Sequence, residues 1–271
     1  SEGTLGIITE LTLKIIPAPK HVVSLVVPFE DLHTALSAVP KVKMAQMNPQ
    51  AIEFMEREIV LSSERYIGRS VFPQKLEGQD IGAYLLITLD GNTEDEVDAL
   101  VEQAAELLVE AGAMDVLVAD TPAKIKDAWA ARSSFLEAIM EETKLLDECD
   151  VVVPVNQIAD YLEFANKTGA ECGLVIKSFG HAGDGNLHIY QCSNDLEEEE
   201  FKARVDKFFD IIYQRATESG GLVSGEHGIG SGKVKYLIQS VGETNMALME
   251  GIKRVFDPKM ILNPGKVCYR L

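Results

Sequence analysis

Basic residues are the first shortage in this sequence. Twenty-five Lys and Arg stand against 43 Asp and Glu, a formal net charge of −18. Such a surface repels phosphate backbones and anionic lipid, which argues against nucleic acid as a partner. The acid runs, such as the four glutamates at 197–200, read as solvated helix starts that suit the helix dipole. Long apolar runs are also missing. "VVSLVVPF" and "AYLLITL" fall well short of the ~20 residues that span a bilayer, and no signal peptide opens the chain. Cysteine is sparse: Cys149, Cys172, Cys192 and Cys268 form no CxxC pair and show no zinc-finger spacing. They read as free thiols in a reducing, cytoplasmic compartment, not as a secreted disulfide framework.

What is present is ordinary for a globular protein. With 46% hydrophobic and 25% charged residues, 271 residues suffice for one large or two small domains with a buried core. The opening "SEGTLGIITELTLKIIPAP" lacks Met and reads like the middle of a domain, as a cut or processed fragment would.

Val22–Pro28 reads as a strand, Asp31–Val39 as a short helix, Ala51–Met55 and Ala83–Leu89 as strands. The clearest helix follows Thr93, a good N-cap, with Glu94, Asp95 and Glu96 in its first turn and Gly112 as its stop. Met114–Ala119 then closes a β-α-β-β-α-β order, the ferredoxin-like pattern, with residues 56–82 inserted between its second and third strands. Thr121–Glu142 reads as one long helix. The pattern then restarts: strand Val151–Pro154, helix Asn156–Thr168 stopped by Gly169, strands Leu174–Phe179 and Leu187–Cys192, helix Asp195–Ser219, strand Leu222–Ser224. The expectation is an α+β protein of two ferredoxin-like split-βαβ halves, each an antiparallel sheet with helices on one face. Helices at 233–240 and 243–256 complete the chain.

Histidine is scarce, with five in the chain. His21 and His33 lack a polar constellation and read as structural or surface residues. The other three lie in "GHAGDGNLH" and "SGEHGIGSGK". With Asp184-Gly185 as a hairpin tip, His181 faces His188 directly, and two imidazoles so placed can share one ion. Glu226 adds a carboxylate, giving a two-His, one-carboxylate set that leaves positions open for substrate. Its neighbour His227 is expected to point the opposite way, as in extended backbone. Zn²⁺ suits these donors best; Mn²⁺ and Fe²⁺ also fit. Packing and turn-capping roles for the same histidines remain open on this reading. "GSGK" is not a P-loop, because His227 replaces the first Gly and Val234 the Ser or Thr.

"SEGTLGIIT", "GHAGDGNLH", "SGEHGIGSGK" and "LNPGKV" stand in an order that resembles the C-terminal part of FAD-linked oxidases. Glycolate oxidase flavoprotein subunits, D-lactate dehydrogenases and D-2-hydroxyglutarate dehydrogenases belong to that family. The resemblance implies residues 1–20 as the end of an absent FAD-binding domain. It makes 21–257 the substrate- and metal-binding domain, and 258–271 a tail returning to the flavin. It implies FAD contacts at Glu2, Gly3, Gly6, Ile8 and Asn263, held mainly by the absent domain. It implies metal ligands at His181, His188 and Glu226, a catalytic base at His227 and a substrate-carboxylate partner at Arg132. Leu136, Glu148 and Tyr190 replace the Thr, Lys and Asn of 2-hydroxyglutarate enzymes, which favours a small monocarboxylate, D-lactate or glycolate.

The resemblance further implies an electron acceptor: an electron-transfer protein, an iron–sulfur subunit or a quinone. Peripheral attachment to the inner membrane and a homodimer are compatible with it. The fragment alone is expected to be inactive. Two competing readings are a non-catalytic ferredoxin-like metal- or ligand-binding regulatory module and a metal-assisted hydrolase.

Overall fold

A computed structural model describes residues 1–268. Residues 1–20 carry turns and bends but no helix or strand, with Ile7, Ile8, Leu11, Leu13, Ile15 and Ile16 exposed. The first half comprises strand β1 (His21–Phe29), helix α1 (Leu32–Met44), β2 (Ala51–Glu56), α2 (Arg57–Ile67), a small hairpin of β3 (Lys75–Leu76) and β4 (Gln79–Asp80), β5 (Ala83–Gly91), α3 (Glu94–Glu110) and β6 (Leu117–Ala119). A linking pair follows, α4 (Pro122–Ser133) and α5 (Phe135–Glu142). The second half comprises β7 (Leu145–Val152), α6 (Ile158–Glu171), β8 (Val175–His181), β9 (Asn186–Ser193) and α7 (Glu198–Glu218). Helix α8 (Val234–Phe256) is two helical pieces broken at Gly242, whose φ of 79° and ψ of 163° are non-helical.

The local chemistry explains several of these elements. Thr93 and Glu96 form a reciprocal capping box that starts α3. Asp31 accepts from the Thr34 amide and starts α1. The expected long helix at 121–142 is instead two, because the chain turns at Ser134, whose hydroxyl bonds the Ala131 carbonyl. Helix α6 runs past Gly169 to Glu171, so Gly169 is no stop. It is a close-approach site, where a Cβ would strike the Ile176 side chain. Strand β7 begins at Leu145, earlier than expected, and so carries Glu148 and Asp150.

The two halves are ferredoxin-like, but they share one sheet. Its order is β6-β1-β5-β2-β8-β9-β7, antiparallel throughout. Each half keeps the spatial order of a split βαβ unit, and β2 joins β8 edge to edge. The expected strand at 222–224 is reduced to one bridge between Leu222 and Val152.

The helices of the two split-βαβ units lie on one face, as expected, and the inserted and linking helices add to the other. Helices α1, α3, α6 and α7 cover one face, packing on Leu25, Val27, Phe54, Leu85, Val151 and Leu187. Helices α2, α4 and α5 cover part of the other, packing on Val26, Met55, Leu86, Phe179 and Tyr190. Each large side chain so buried contributes roughly 1.5–3 kcal/mol. No described helix is long and apolar enough to cross a membrane. All four cysteines are buried and free.

Candidate metal and substrate site

Strand alternation puts the polar groups on one face. On β2, Ile52 and Phe54 enter the four-helix core, so Glu53 turns to the other side. On β9, Leu187 and Ile189 do the same and His188 faces oppositely. On β7, Cys149 and Val151 are in that core, which turns Glu148 and Asp150 outward beside His188. The register across the join is specific. Glu53 lies directly opposite His181, Phe179 opposite His188, and Asp150 opposite His188 on the far side.

The expected pairing of His181 with His188 is therefore corrected by two residues. His181 lies opposite Asn186, because Ala182–Gly185 form a four-residue loop rather than a two-residue tip. The Asp184 amide bonds the His181 carbonyl, and the Val153 amide bonds the Gly185 carbonyl. A shift of two preserves the face, so the imidazoles are diagonal neighbours. Their ring centroids are 5.5 Å apart, at 85° to one another.

Glu226 and His227 come from the loop after the Leu222 bridge. Asp150, fully buried, organises that loop. Its Oδ2 accepts from Ser224 Oγ at 2.7 Å and from the amides of Gly225, Glu226 and His227 at 3.0, 3.2 and 2.9 Å. Burial opposes its ionisation, but these donors and Lys233 hold its carboxyl below the usual range. The loop is not extended, and so His227 does not point away from Glu226 as expected. Both side chains turn toward the sheet.

The result is a convergent cluster. Glu226 Oε1 lies 3.1 Å from His188 Nε2, 3.5 Å from His181 Nε2 and 3.7 Å from His227 Nε2. His181, His188 and Glu226 each offer a ligand atom within 4.8 Å of the others, and this donor chemistry fits a divalent cation. The other edges of the rings face carboxylates. Glu53 Oε1 is 2.7 Å from His181 Nδ1, and Glu148 Oε1 is 3.3 Å from His188 Nδ1 and 3.2 Å from His227 Nδ1. Glu148, His188 and His227 form a second group at cation spacing. The Glu53 hydrogen bond raises the His181 pKa above its ordinary value.

Arg132, on α4, is 9% exposed and stacks over the Phe179 ring at 4.6 Å. Its Nε and Nη2 both donate to Glu53 Oε2, at 3.1 and 2.7 Å. A two-pronged grip on substrate by this arginine is therefore not what the geometry offers. Nη1 makes no hydrogen bond among the described residues. Glu53 and Asp150 escaped the reading of the sequence, in which Glu148 figures only as the replacement for a lysine of 2-hydroxyglutarate enzymes. Their signal was an acid set among apolar strand residues, Glu53 in "AIEFME" and the alternating Glu148 and Asp150 of "ECDVVVP".

The expected flavin contacts split into two groups. Glu2 accepts from the amides of Ile229 and Gly230 at 2.8 and 2.7 Å, and Asn263 Nδ2 donates to the Glu2 carbonyl at 2.6 Å. Gly3 sits against Asn263, where a Cβ would strike its amide. Gly6 has open space around it and Ile8 is exposed. His33 pairs with Asp160 on the surface, away from the cluster.

A ferredoxin-like antiparallel domain with two histidines and a carboxylate at cation spacing is the class that fold and site define. The chain belongs to the family described as FAD linked oxidases, C-terminal domain, which it matches over residues 18–267. It is 60% identical to a D-lactate dehydrogenase of Anaerostipes hadrus over 271 residues, covering 100% of this chain and 57% of that protein. It is 34% identical to glycolate oxidase subunit GlcD of Bacillus subtilis over 269 residues, covering 98% and 55%. The chain thus spans little more than half the length of these relatives. The fold is similar to that of p-cresol methylhydroxylase with substrate bound, at a TM-score of 0.69 and 17% identity over 94% of this chain and 54% of that one.

Proposed function

We propose that this chain is the substrate- and metal-binding part of an FAD-dependent 2-hydroxyacid dehydrogenase that converts D-lactate or glycolate to the 2-oxoacid. The observation that carries this reading is the convergence of His181 Nε2, His188 Nε2 and Glu226 Oε1, with His227 Nε2 beside them. The names of the two relatives support the substrate class.

A divalent cation held by His181, His188 and Glu226, zinc for preference, would supply Lewis acidity when bound. A flavin near Glu2, Gly3, Gly6, Ile8 and Asn263 would supply the two-electron acceptor when bound. The chain's own residues do the rest. His227 takes the substrate hydroxyl proton at Nε2, a task that imidazole suits near neutral pH. Arg132, anchored by Glu53, turns its free Nη1 to the substrate carboxylate and fixes orientation.

A small monocarboxylate suits the charge balance of this face. Arg132 is engaged by Glu53 and Lys177 by Glu142, at 3.1 Å from Nζ to Oε2. Glu148 lies between two imidazoles, and Tyr190 is buried. A second carboxylate would meet Glu148 without a free cation. The test is a screen of the full-length flavoprotein with D-lactate, glycolate and D-2-hydroxyglutarate. Rapid bleaching of the bound flavin by one of the first two supports the reading; no bleaching by any 2-hydroxyacid removes it.

A further inference from the structure

We propose that Glu53 is a positioning residue that couples Arg132 to the metal ligand His181, so that the substrate anchor and the metal site are held by one carboxylate. The inference rests on the metal site proposed above and adds to it.

The geometry divides the two oxygens of Glu53. Oε1 faces His181 Nδ1 at 2.7 Å, and Oε2 receives Nε and Nη2 of Arg132. The carboxylate is 3% exposed. A buried charge of this kind is costly unless paired on both sides. Here His181 on one oxygen and the Arg132 guanidinium on the other supply that pairing. In the tautomer whose Nδ1 donates to Glu53, His181 Nε2 keeps a lone pair for a cation. Carboxylates that orient ligating imidazoles in this way are worth about 10–100-fold in metal affinity.

The same contact fixes Arg132. The guanidinium lies against Phe179 and Phe135, 4.6 and 5.5 Å from the centres of rings that themselves meet edge to face at 5.3 Å, and Glu53 takes one edge of its fork. Phe179 also lies directly opposite His188 and packs on its ring at 5.6 Å. Arginine, Glu53 and both histidines thus form one packed unit across the β2–β8 join. A shift of Arg132 on carboxylate binding would be felt at His181 through Glu53, and the reverse.

The experiment uses the full-length flavoprotein, stripped of metal and titrated with Zn²⁺ against a chelator. Glu53→Gln is expected to weaken zinc binding about 10–100-fold with flavin content unchanged. Arg132→Lys breaks the paired donation and is expected to weaken zinc binding too, while the double variant is no weaker than Glu53→Gln alone. If Arg132 served substrate only, Arg132→Lys would raise KM and leave zinc affinity untouched, and that outcome overturns the coupling. If Glu53→Gln does not fold, Glu53→Asp keeps the charge and withdraws it from His181; unchanged zinc affinity in that variant overturns the proposal equally. A wild-type protein that binds no zinc, Mn²⁺ or Fe²⁺ removes the metal site and this inference together. A wild type that binds metal and a Glu53→Gln variant of equal affinity remove this inference alone.

Discussion

His188 and His227 stack with their ring centres 4.9 Å apart and their planes 17° from parallel. Their Nδ1 edges meet Glu148 and their Nε2 edges meet Glu226. The two rings are nearly equivalent in contact but not in setting. His188 is 3% exposed on an interior strand of the sheet; His227 lies on a loop and reaches the open side.

This difference predicts separable losses. His188→Ala should empty the metal site, because it deletes a buried ligand. His227→Ala should keep metal and lose roughly 10²–10⁴-fold in turnover, the usual worth of a proton acceptor. Elemental analysis and flavin-reduction rates on the same full-length preparations check both. Near-normal turnover in His227→Ala rejects its assigned role.

Asp150 should act at a distance from the reacting groups. Its Oδ2 gathers four donors from Ser224 to His227. Asp150→Asn removes the charge that those donors share, at about 1.5–3 kcal/mol for each charge-assisted bond before relaxation. The expected result is a loop that proteases cut more readily, together with weaker metal binding. Because the native carboxyl pKa is lowered, this stabilisation is full above the usual carboxylate range and fades as pH falls through the lowered value. Limited proteolysis at neutral pH that cuts variant and wild type equally would count against the loop's dependence on Asp150.

Burial predicts the opposite sign at Glu56. Its carboxyl lies under the β2–β8 join, bonded by Ser178, and burial raises its pKa from 4.5 to about 7, with Glu58 adding a little. The folded state therefore holds this proton more tightly than the unfolded chain. Its contribution is fully present below pH 4.5 and is lost as pH rises through about 7. Glu56→Gln should remove that dependence, gaining on wild type by on the order of 3 kcal/mol between mildly acidic and mildly basic pH. Denaturant melts of both proteins across this range measure it. A constant difference between them would reject the assignment.

Much of the fold was legible because local chemistry agreed with it. The capping box of Thr93 and Glu96, the Gly242 break and the repeated split-βαβ order all show in short stretches of sequence. What was not legible depends on pairing between distant strands. Nothing local in "AIEFME" says that Glu53 will sit opposite His181, since that contact exists only where β2 meets β8. The site shows the same division. His181, His188, Glu226 and His227 stand out as scarce residues among glycines, and they do converge. The carboxylates behind them look like ordinary surface acids until the strand faces are known.

Gly185 sets the geometry of the hairpin loop between His181 and His188. Gly185 has a φ of 75°, and a Cβ there would strike the Val153 carbonyl oxygen, which belongs to the chain just beyond β7. Alanine would meet both a left-handed backbone, costly by about 1–2 kcal/mol, and a clash that must move β7 or the loop. His181 opens this loop and Asn186, two residues before His188, closes it, so an adjustment of the loop is expected to shift His181 relative to His188. Gly185→Ala is therefore expected to lower the unfolding free energy by at least about 2 kcal/mol and to weaken metal binding, although residue 185 touches neither ligand. Gly183 is the internal comparison. Its φ is not in the left-handed region, and a Cβ would meet Ile52 only at ordinary contact distance, 3.5 Å. Gly183→Ala should leave both quantities close to wild type. Equal effects from the two alanines, read by denaturant melts and chelator competition, would mean that the loop tolerates change at 185. The four-residue turn would then not be what aligns His181 with His188.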